Sequence, residues 1–259
     1  MSADRILLTI DGAIATVAIN RPEARNGLVR GMGAEIHAKL REVAANKNIR
    51  VLVFRGIGRD FCPGADIKAQ STPDETPPPT PDFDAYQVSV LLHEMPQVTI
   101  AAIRGACAGA GLGYAAACDL RVGDDDVRIN SAFLDVGVAG DMGVPWSLPR
   151  LIGPGLARDL MFFPRKIGSD EALRIGLLQR VWPGETFEEE LARYTARLAG
   201  AAPLALTAMK ANFVEAERTD LRSFITIEAE RHIRLLQTAD RTEAFKAWVE
   251  KRAAKFTGR

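Results

Sequence analysis

An α/β fold with its strands in the first half and helices dominating the second is predicted by three observations. Short apolar runs that suit buried strands recur up to about residue 130. A strand, a glycine-rich loop and a helical stretch follow one another near residues 51–67, 99–117 and, more weakly, 127–150. Beyond residue 169 the chain reads as mostly helical.

Taken in order, residues 5–20 read as two strands around the turn Asp11-Gly12, with Ile6, Leu8 and Ile10 alternating. Pro22 stops the second strand because it cannot donate to a ladder. Met32, Ile36, Leu40 and Val43 share one helical face, and residues 50–56 form a short buried strand. That strand runs into a loop, residues 58–67, with Gly64 at its bend. Residues 70–84 hold five of the fourteen prolines, which argues against a stable helix there. The segment is either a tolerated surface insertion or a lid beside a site. Val88, Leu91, Leu92 and Met95 make a helical face; residues 120–122 and 127–129 read as strands. Ser169 is an expected N-cap, and helices are expected over 187–198, 203–217, 221–236 and 242–256.

The organising stretch is residues 100–119, IAAIRGACAGAGLGYAAACD. A strand enters, Gly105, Gly109, Gly111 and Gly113 follow, and an alanine-rich helix leaves. The first amides of a helix lack intrahelical partners and sit at its positive end, so an anion or a developing oxyanion can bind there. The same glycines would equally serve close helix–strand packing. Gly111, Gly113 and Ala116 also fit a dinucleotide-binding turn, but that fold needs an acidic residue ~20 positions on. Position 131 is serine, and the next strand begins four residues after Ala116, so the spacing is wrong.

At 259 residues and 47% hydrophobic, the chain can bury a substantial core. Acidic and basic residues balance at 33 each, which gives no reason to expect nucleic acid or an anionic membrane as partner. No signal peptide or membrane-spanning run is evident, and the odd set Cys62, Cys107 and Cys118 has no metal-ligand spacing, so a reducing cytoplasm is expected. His37, His93 and His232 are scattered and suggest no metal site.

Several segments together resemble the crotonase superfamily, the enoyl-CoA hydratase/isomerase family. They are residues 20–26 (NRPEARN), 61–67 (FCPGADI) and 101–119, then Asp170-Glu171-Ala172-Leu173 with Gly176-Leu177-Leu178, and residues 247–252 (AWVEKR). They occur in the family's order across almost the whole chain. The resemblance implies a spiral core of repeated ββα units over residues 1–200 and a C-terminal helical region, residues 201–259, that mediates trimer formation, with trimers often pairing into hexamers. It implies a coenzyme A thioester as substrate, with no further cofactor. By motif position, the amides of Ala65 and Ala110 would bind the thioester oxygen. Adenine, phosphate and acyl contacts would involve Ala24, Arg25, Pro63, Asp66, Ile67, Ala106, Gly109, Phe133 and Gly140, and Lys251 of a neighbouring subunit. Arg25 could equally be a solvated surface charge.

The chain departs from the family's hydratases, which use two glutamates to hold one water. The corresponding positions are Gly113 and Phe133, and neither side chain can transfer a proton. The remaining candidate is Asp141, where the resemblance extends to dienoyl-CoA isomerases, which use an aspartate there for proton shuttling, and to 4-chlorobenzoyl-CoA dehalogenase, which uses it as a nucleophile. His93 does not align with the dehalogenase's helper histidine. Asp135 reads as a turn residue before a catalytic acid, Asp119 as structural, and Tyr114 as core packing or as a donor assisting the site. Two functions follow: an Asp141-dependent acyl-CoA enzyme (isomerase or atypical hydratase first, hydrolase or dehalogenase-like second) or an acyl-CoA-binding protein without chemistry.

Overall fold

The computed structural model describes residues 4–70 and 83–259; the proline-rich stretch read above as an insertion or lid lies almost wholly outside the described residues. The chain opens with β1 (Ile6–Asp11) and β2 (Ile14–Ile19), an antiparallel hairpin in which Ile6 pairs with Ile19. Then come α1 (Met32–Ala45), β3 (Val51–Gly56), the single turn α2 (Ile67–Gln70) and α3 (Asp84–Glu94). Next are β4 (Val98–Ile103), β5 (Ala106–Ala108), α4 (Ala110–Ala117), β6 (Leu120–Asp124) and β7 (Arg128–Asn130). They are followed by α5 (Val144–Ile152), α6 (Pro154–Phe162), β8 (Ile167–Gly168), α7 (Ser169–Arg174) and β9 (Arg180–Trp182). Four helices end the chain: α8 (Phe187–Ala199), α9 (Pro203–Ala216), α10 (Leu221–Leu236) and α11 (Ala239–Val249).

Two sheets carry the spiral. The larger runs β1-β2-β3-β4-β6-β9, parallel from β2 onward. The smaller is β5-β7-β8, and a parallel bridge from Cys62 to Cys107 ties the loop after β3 to it. Each turn of the chain thus lays one strand in the large sheet and a short stretch in the small one, then departs as helix or loop. This is the repeated ββα spiral that the family resemblance implies. The central strands of the large sheet are mostly apolar because both faces are covered: β4 is buried at all six positions. One face, with Leu52, Phe54, Ala101 and Ile103, meets the inner core with Ile36, Leu40 and Leu92; the other, with Val51, Val53, Ile100 and Val122, meets Phe187 and Leu191 of α8.

Some boundaries differ from the sequence reading. The expected strands at 120–122 and 127–129 are Leu120–Asp124 and Arg128–Asn130. Ser169 is the first residue of α7, and Gly168 precedes it as N-cap without a side-chain bond. The last helix begins at Ala239 and stops at Val249, not 256. The tail instead folds back on Asp240, whose carboxylate accepts the Thr257 amide at 2.7 Å and the Gly258 amide at 2.8 Å. Bonds to a charged acceptor take the place of about two further helical turns. Among the described residues no helix is long and apolar enough to cross a membrane.

Candidate active site

The loop after β3 and the loop after β4 run side by side. The Phe61 amide donates to Arg104 O, Cys62 to Ala106 O, and Ala108 back to Cys62 O, at 2.8–2.9 Å. Asp60, buried beneath them, accepts the Ala106 amide at 2.8 Å and a two-nitrogen contact from Arg25 at 2.9 and 3.1 Å. Burial alone would raise the Asp60 carboxyl, but the bonds from Arg25 and Ala106 outweigh it and hold it below the usual range. Asn26, fully buried with φ 64°, bonds to Ile57 O at 2.9 Å and to Asp60 O. The NRPEARN motif therefore serves as a brace for the loop that follows β3.

That brace orients one amide. Gly64 O accepts the Leu28 amide at 2.9 Å, and the Asp66 amide donates to Leu28 O at 2.9 Å. Across a trans peptide the N–H points opposite to the C=O, so fixing Gly64 O on Leu28 turns the Ala65 N–H away from that contact. The second amide is that of Ala110, the first residue of α4, which has no intrahelical acceptor. Among the described residues neither amide donates a backbone hydrogen bond. The stretches touch: a methyl on Gly64 would lie 3.6 Å from the Ala110 nitrogen and 3.1 Å from Ala108 O. Gly64 has φ 95° and Gly109 has φ 53°, so both bends need glycine. Gly111 and Gly113 have the other task, close packing: a Cβ on Gly111 would meet Cys62 O at 2.2 Å. Of the sequence readings of the glycine run, close packing applies to Gly111 and Gly113, while Gly109 makes a bend.

Asp141 lies in the turn that leads into α5, where Gly140 (φ 116°), Met142 (φ 46°) and Gly143 (φ 77°) are all left-handed. The glycines flanking Asp141-Met142 serve this turn. It packs on α4 so tightly that a Cβ on Gly113 would stand 2.4 Å from Met142 Cβ. Any side chain at position 113 would therefore run into Met142, first its Cβ and then its backbone O and Cα. Asp141 Oδ1 is buried and has no hydrogen-bond partner among the described residues. Burial pushes its carboxyl up from an ordinary 3.8 to about 6. Its charge reaches Cys62, whose thiol burial pushes to about 12. Cys62 is thus an inert core thiol, and α4 packs against both its loop, at Gly111, and the turn carrying Asp141, at Gly113.

The other expected residues divide. Ala24, Pro63, Ala106 and Gly109 are partly exposed around the two loops, and Ile67 is exposed beyond Ala65. Asp66 is engaged with the fold: its carboxylate pairs with Arg21 at 3.1 Å and accepts the Ala69 amide at 3.1 Å. Arg25 is mostly exposed while bonded to Asp60. Phe133 is buried in the main core, and Asp135 is exposed in a short 3-10 turn, Leu134–Val136. Asp119 is structural, accepting the Thr99 amide at 2.7 Å and buried Lys210 at 2.8 Å. His93 pairs with Glu217 at 2.9 Å and stands edge-on to Trp146. Lys251 follows α11 with φ 52°; among the described residues no hydrogen bond or ion pair links it to the two loops. Sequence reasoning missed Leu28, whose backbone clamps Gly64; a backbone role of this kind leaves no side-chain signature.

Two free amides on touching loops can hold an oxygen that gains negative charge, with a half-buried carboxyl close by to move a proton. Known proteins match this chain over nearly its whole length. The family model described as enoyl-CoA hydratase/isomerase matches residues 9–259. The chain is 30% identical over 259 residues to the crotonyl-CoA hydratase of Syntrophomonas wolfei, covering 99% of each. It is 30% identical over 253 residues to the mitochondrial Delta(3,5)-Delta(2,4)-dienoyl-CoA isomerase of Rattus norvegicus, covering 92% of this chain and 77% of that one. The crystal structure of an enoyl-CoA hydratase from Bacillus anthracis superposes with a TM-score of 0.90 at 26% identity, covering 99% of this chain and 100% of that one. With its spiral of ββα turns and matches that span both halves, this chain belongs to the enoyl-CoA hydratase/isomerase family of enzymes.

Proposed function

We propose that the protein is an acyl-CoA enzyme in which the Ala65 and Ala110 amides hold the thioester oxygen and Asp141 moves the proton. The observation that carries this reading is Asp141 itself: a half-buried carboxyl, unpartnered at Oδ1, titrating at about 6. A carboxyl tuned toward neutrality is a competent base when ionised and a competent acid when protonated. Loss of a proton from carbon conjugated to the thioester carbonyl leaves an enolate whose oxygen the two amides stabilise. Asp141 then returns the proton at another carbon, an isomerisation, or assists addition of water. Gly113 and Phe133 are the observations that disfavour the two-glutamate hydration. A second reading keeps the amides and uses ionised Asp141 as a nucleophile for hydrolysis or substitution; its free Oδ1 favours it.

The test is turnover of crotonyl-, 3-enoyl-, 3,5-dienoyl- and aryl-CoA thioesters by wild type and Asp141→Asn. Turnover lost in the variant supports the reading and names the reaction class. Tight thioester binding with no turnover on the panel, unchanged in Asp141→Asn, makes the protein an acyl-CoA-binding protein instead. The amide pair has its own check. Gly64→Ala forces a side chain onto φ 95°, 3.1 Å from Ala108 O, so the Ala65 amide must turn. Turnover is expected to fall about 10- to 100-fold, short of full loss of one donor.

Coenzyme A contacts would fall to Ala24, Arg25, Pro63, Asp66, Ile67, Ala106 and Gly109 around the two loops, acyl contacts to Phe133 and Gly140, and a phosphate contact to Lys251 of a neighbouring copy. Arg25 and Asp66 would take part while held by Asp60 and Arg21. A neighbouring copy is supported by the last three helices, where Phe213, Leu221, Trp248 and Val249 are each more than 70% exposed. Sedimentation is expected to give three or six times the 28.1 kDa chain mass.

A further inference from the structure

Tyr114 follows Gly113 on α4, wholly buried, with its ring edge-on to Phe54 at 5.8 Å. Its hydroxyl is buried and has no hydrogen-bond partner among the described residues, a property it shares with Asp141 Oδ1. A buried hydroxyl left unpaired is destabilising, so a site that needed only an aromatic ring would be better filled by phenylalanine. The two unpaired atoms share one neighbourhood. Their sequence neighbours, Gly113 and Met142, are packed against each other, and the charge of Asp141 reaches the Tyr114 hydroxyl.

The titratable groups whose charges act on that hydroxyl from the surrounding elements are Cys62 on the loop after β3, Asp141 before α5 and Tyr86 on α3. All are acids, and burial with their added push holds the Tyr114 phenol far above its ordinary range. It stays protonated at working pH and can donate. Asp141 is the one carboxyl within this set, so when it ionises its carboxylate is the acceptor to which the hydroxyl can donate.

We infer that the Tyr114 hydroxyl is a positioning donor for Asp141: when the carboxyl ionises, the two close on one another, directly or through one bridging water, and the carboxylate is held toward the thioester site. The inference rests on Asp141 being the acid/base. Tyr114 touches neither substrate nor reacting atoms; it acts through Asp141.

Tyr114→Phe removes one oxygen and leaves the ring volume, so the fold is expected to be kept. The direct measurement is a carbon-13 carboxyl titration of the full chain, the Asp141 signal being the one missing in Asp141→Asn. Its midpoint is expected to move up in Tyr114→Phe, because a donor that favoured the ionised form is gone. The acid limb of kcat/KM is expected to move with it; a one-unit shift reads as about tenfold lower kcat/KM on the acid side. Installing 3-fluorotyrosine at position 114, a stronger donor of similar size, is expected to move the midpoint down. An unmoved midpoint beside an inactive Asp141→Asn overturns this inference alone. Undiminished turnover in Asp141→Asn overturns the acid/base reading and, with it, the positioning role of Tyr114.

Discussion

Asp141→Asn is expected to lower kcat about 10²- to 10⁴-fold, with KM for the thioester nearly unchanged. Asparagine keeps the shape and cannot exchange a proton at working pH. The amides of Ala65 and Ala110 belong to the backbone of other segments, so thioester binding should survive. The same variant has a second, opposite signature. The folded carboxyl titrates at about 6 against an ordinary 3.8, so the fold disfavours its ionised form. Its favourable contribution is therefore fully present below about 3.8 and is lost as pH rises through about 6. Discounted for partial exposure, the penalty above that window is about 1–2 kcal/mol. Asparagine escapes it. Thermal melts should show Asp141→Asn more stable than wild type by about 2–6 °C at pH 8, with the gain absent at pH 4. An equal gain at both pH values would remove the desolvated carboxylate as its cause. An inactive enzyme that melts higher is the pattern expected where strain is stored at a functional site.

Gly113→Glu, alone or with Phe133→Glu, is expected to unfold the site without installing a hydratase. A Cβ at position 113 would meet Met142 Cβ at 2.4 Å, Met142 O at 3.1 Å and Met142 Cα at 3.3 Å. Much of that obstacle is backbone, and α4 is buried at every position, so neither side can yield by a rotamer change. The turn carrying Asp141 must move, and the new carboxylate enters without a positive partner. Overpacking and an unpaired buried charge together should lower stability by about 3–5 kcal/mol, read as a melting temperature about 10 °C lower. Activity on the native substrate should go with it, and crotonyl-CoA hydration should stay at background. A double variant that melts like wild type and hydrates crotonyl-CoA would show that the turn yields after all.

How legible this was depends on where the information lies. Apolar runs carried the strands at Val51–Gly56 and Val98–Ile103, which are covered on both faces, and the period of 3.6 carried the helix at Met32–Ala45, where Met32, Ile36, Leu40 and Val43 face the core. Ala106–Ala108, Ile167–Gly168 and Arg180–Trp182 are strands of two or three residues whose partners lie far along the chain, Ala106 against Arg128, Ile129 against Ile167 and Val122 against Arg180. Their pairing is tertiary and leaves no local period. At the site, the missing glutamates and Asp141 could be read as residue types. That Met142 fills the space over Gly113, and that Tyr114 carries an unpaired hydroxyl, depend on how α4 meets the turn before α5, which no spacing encodes.

The parallel bridge between Cys62 and Cys107 has a consequence for descent. It links the two segments that end in the Ala65 and Ala110 amides through main-chain bonds, to which side-chain identity contributes only its willingness to fit. Acidic groups can come and go on α4 and on the turns around it while that frame persists. Relatives named for hydration and for isomerisation can therefore share a backbone such as this one while differing in the side chains set around it.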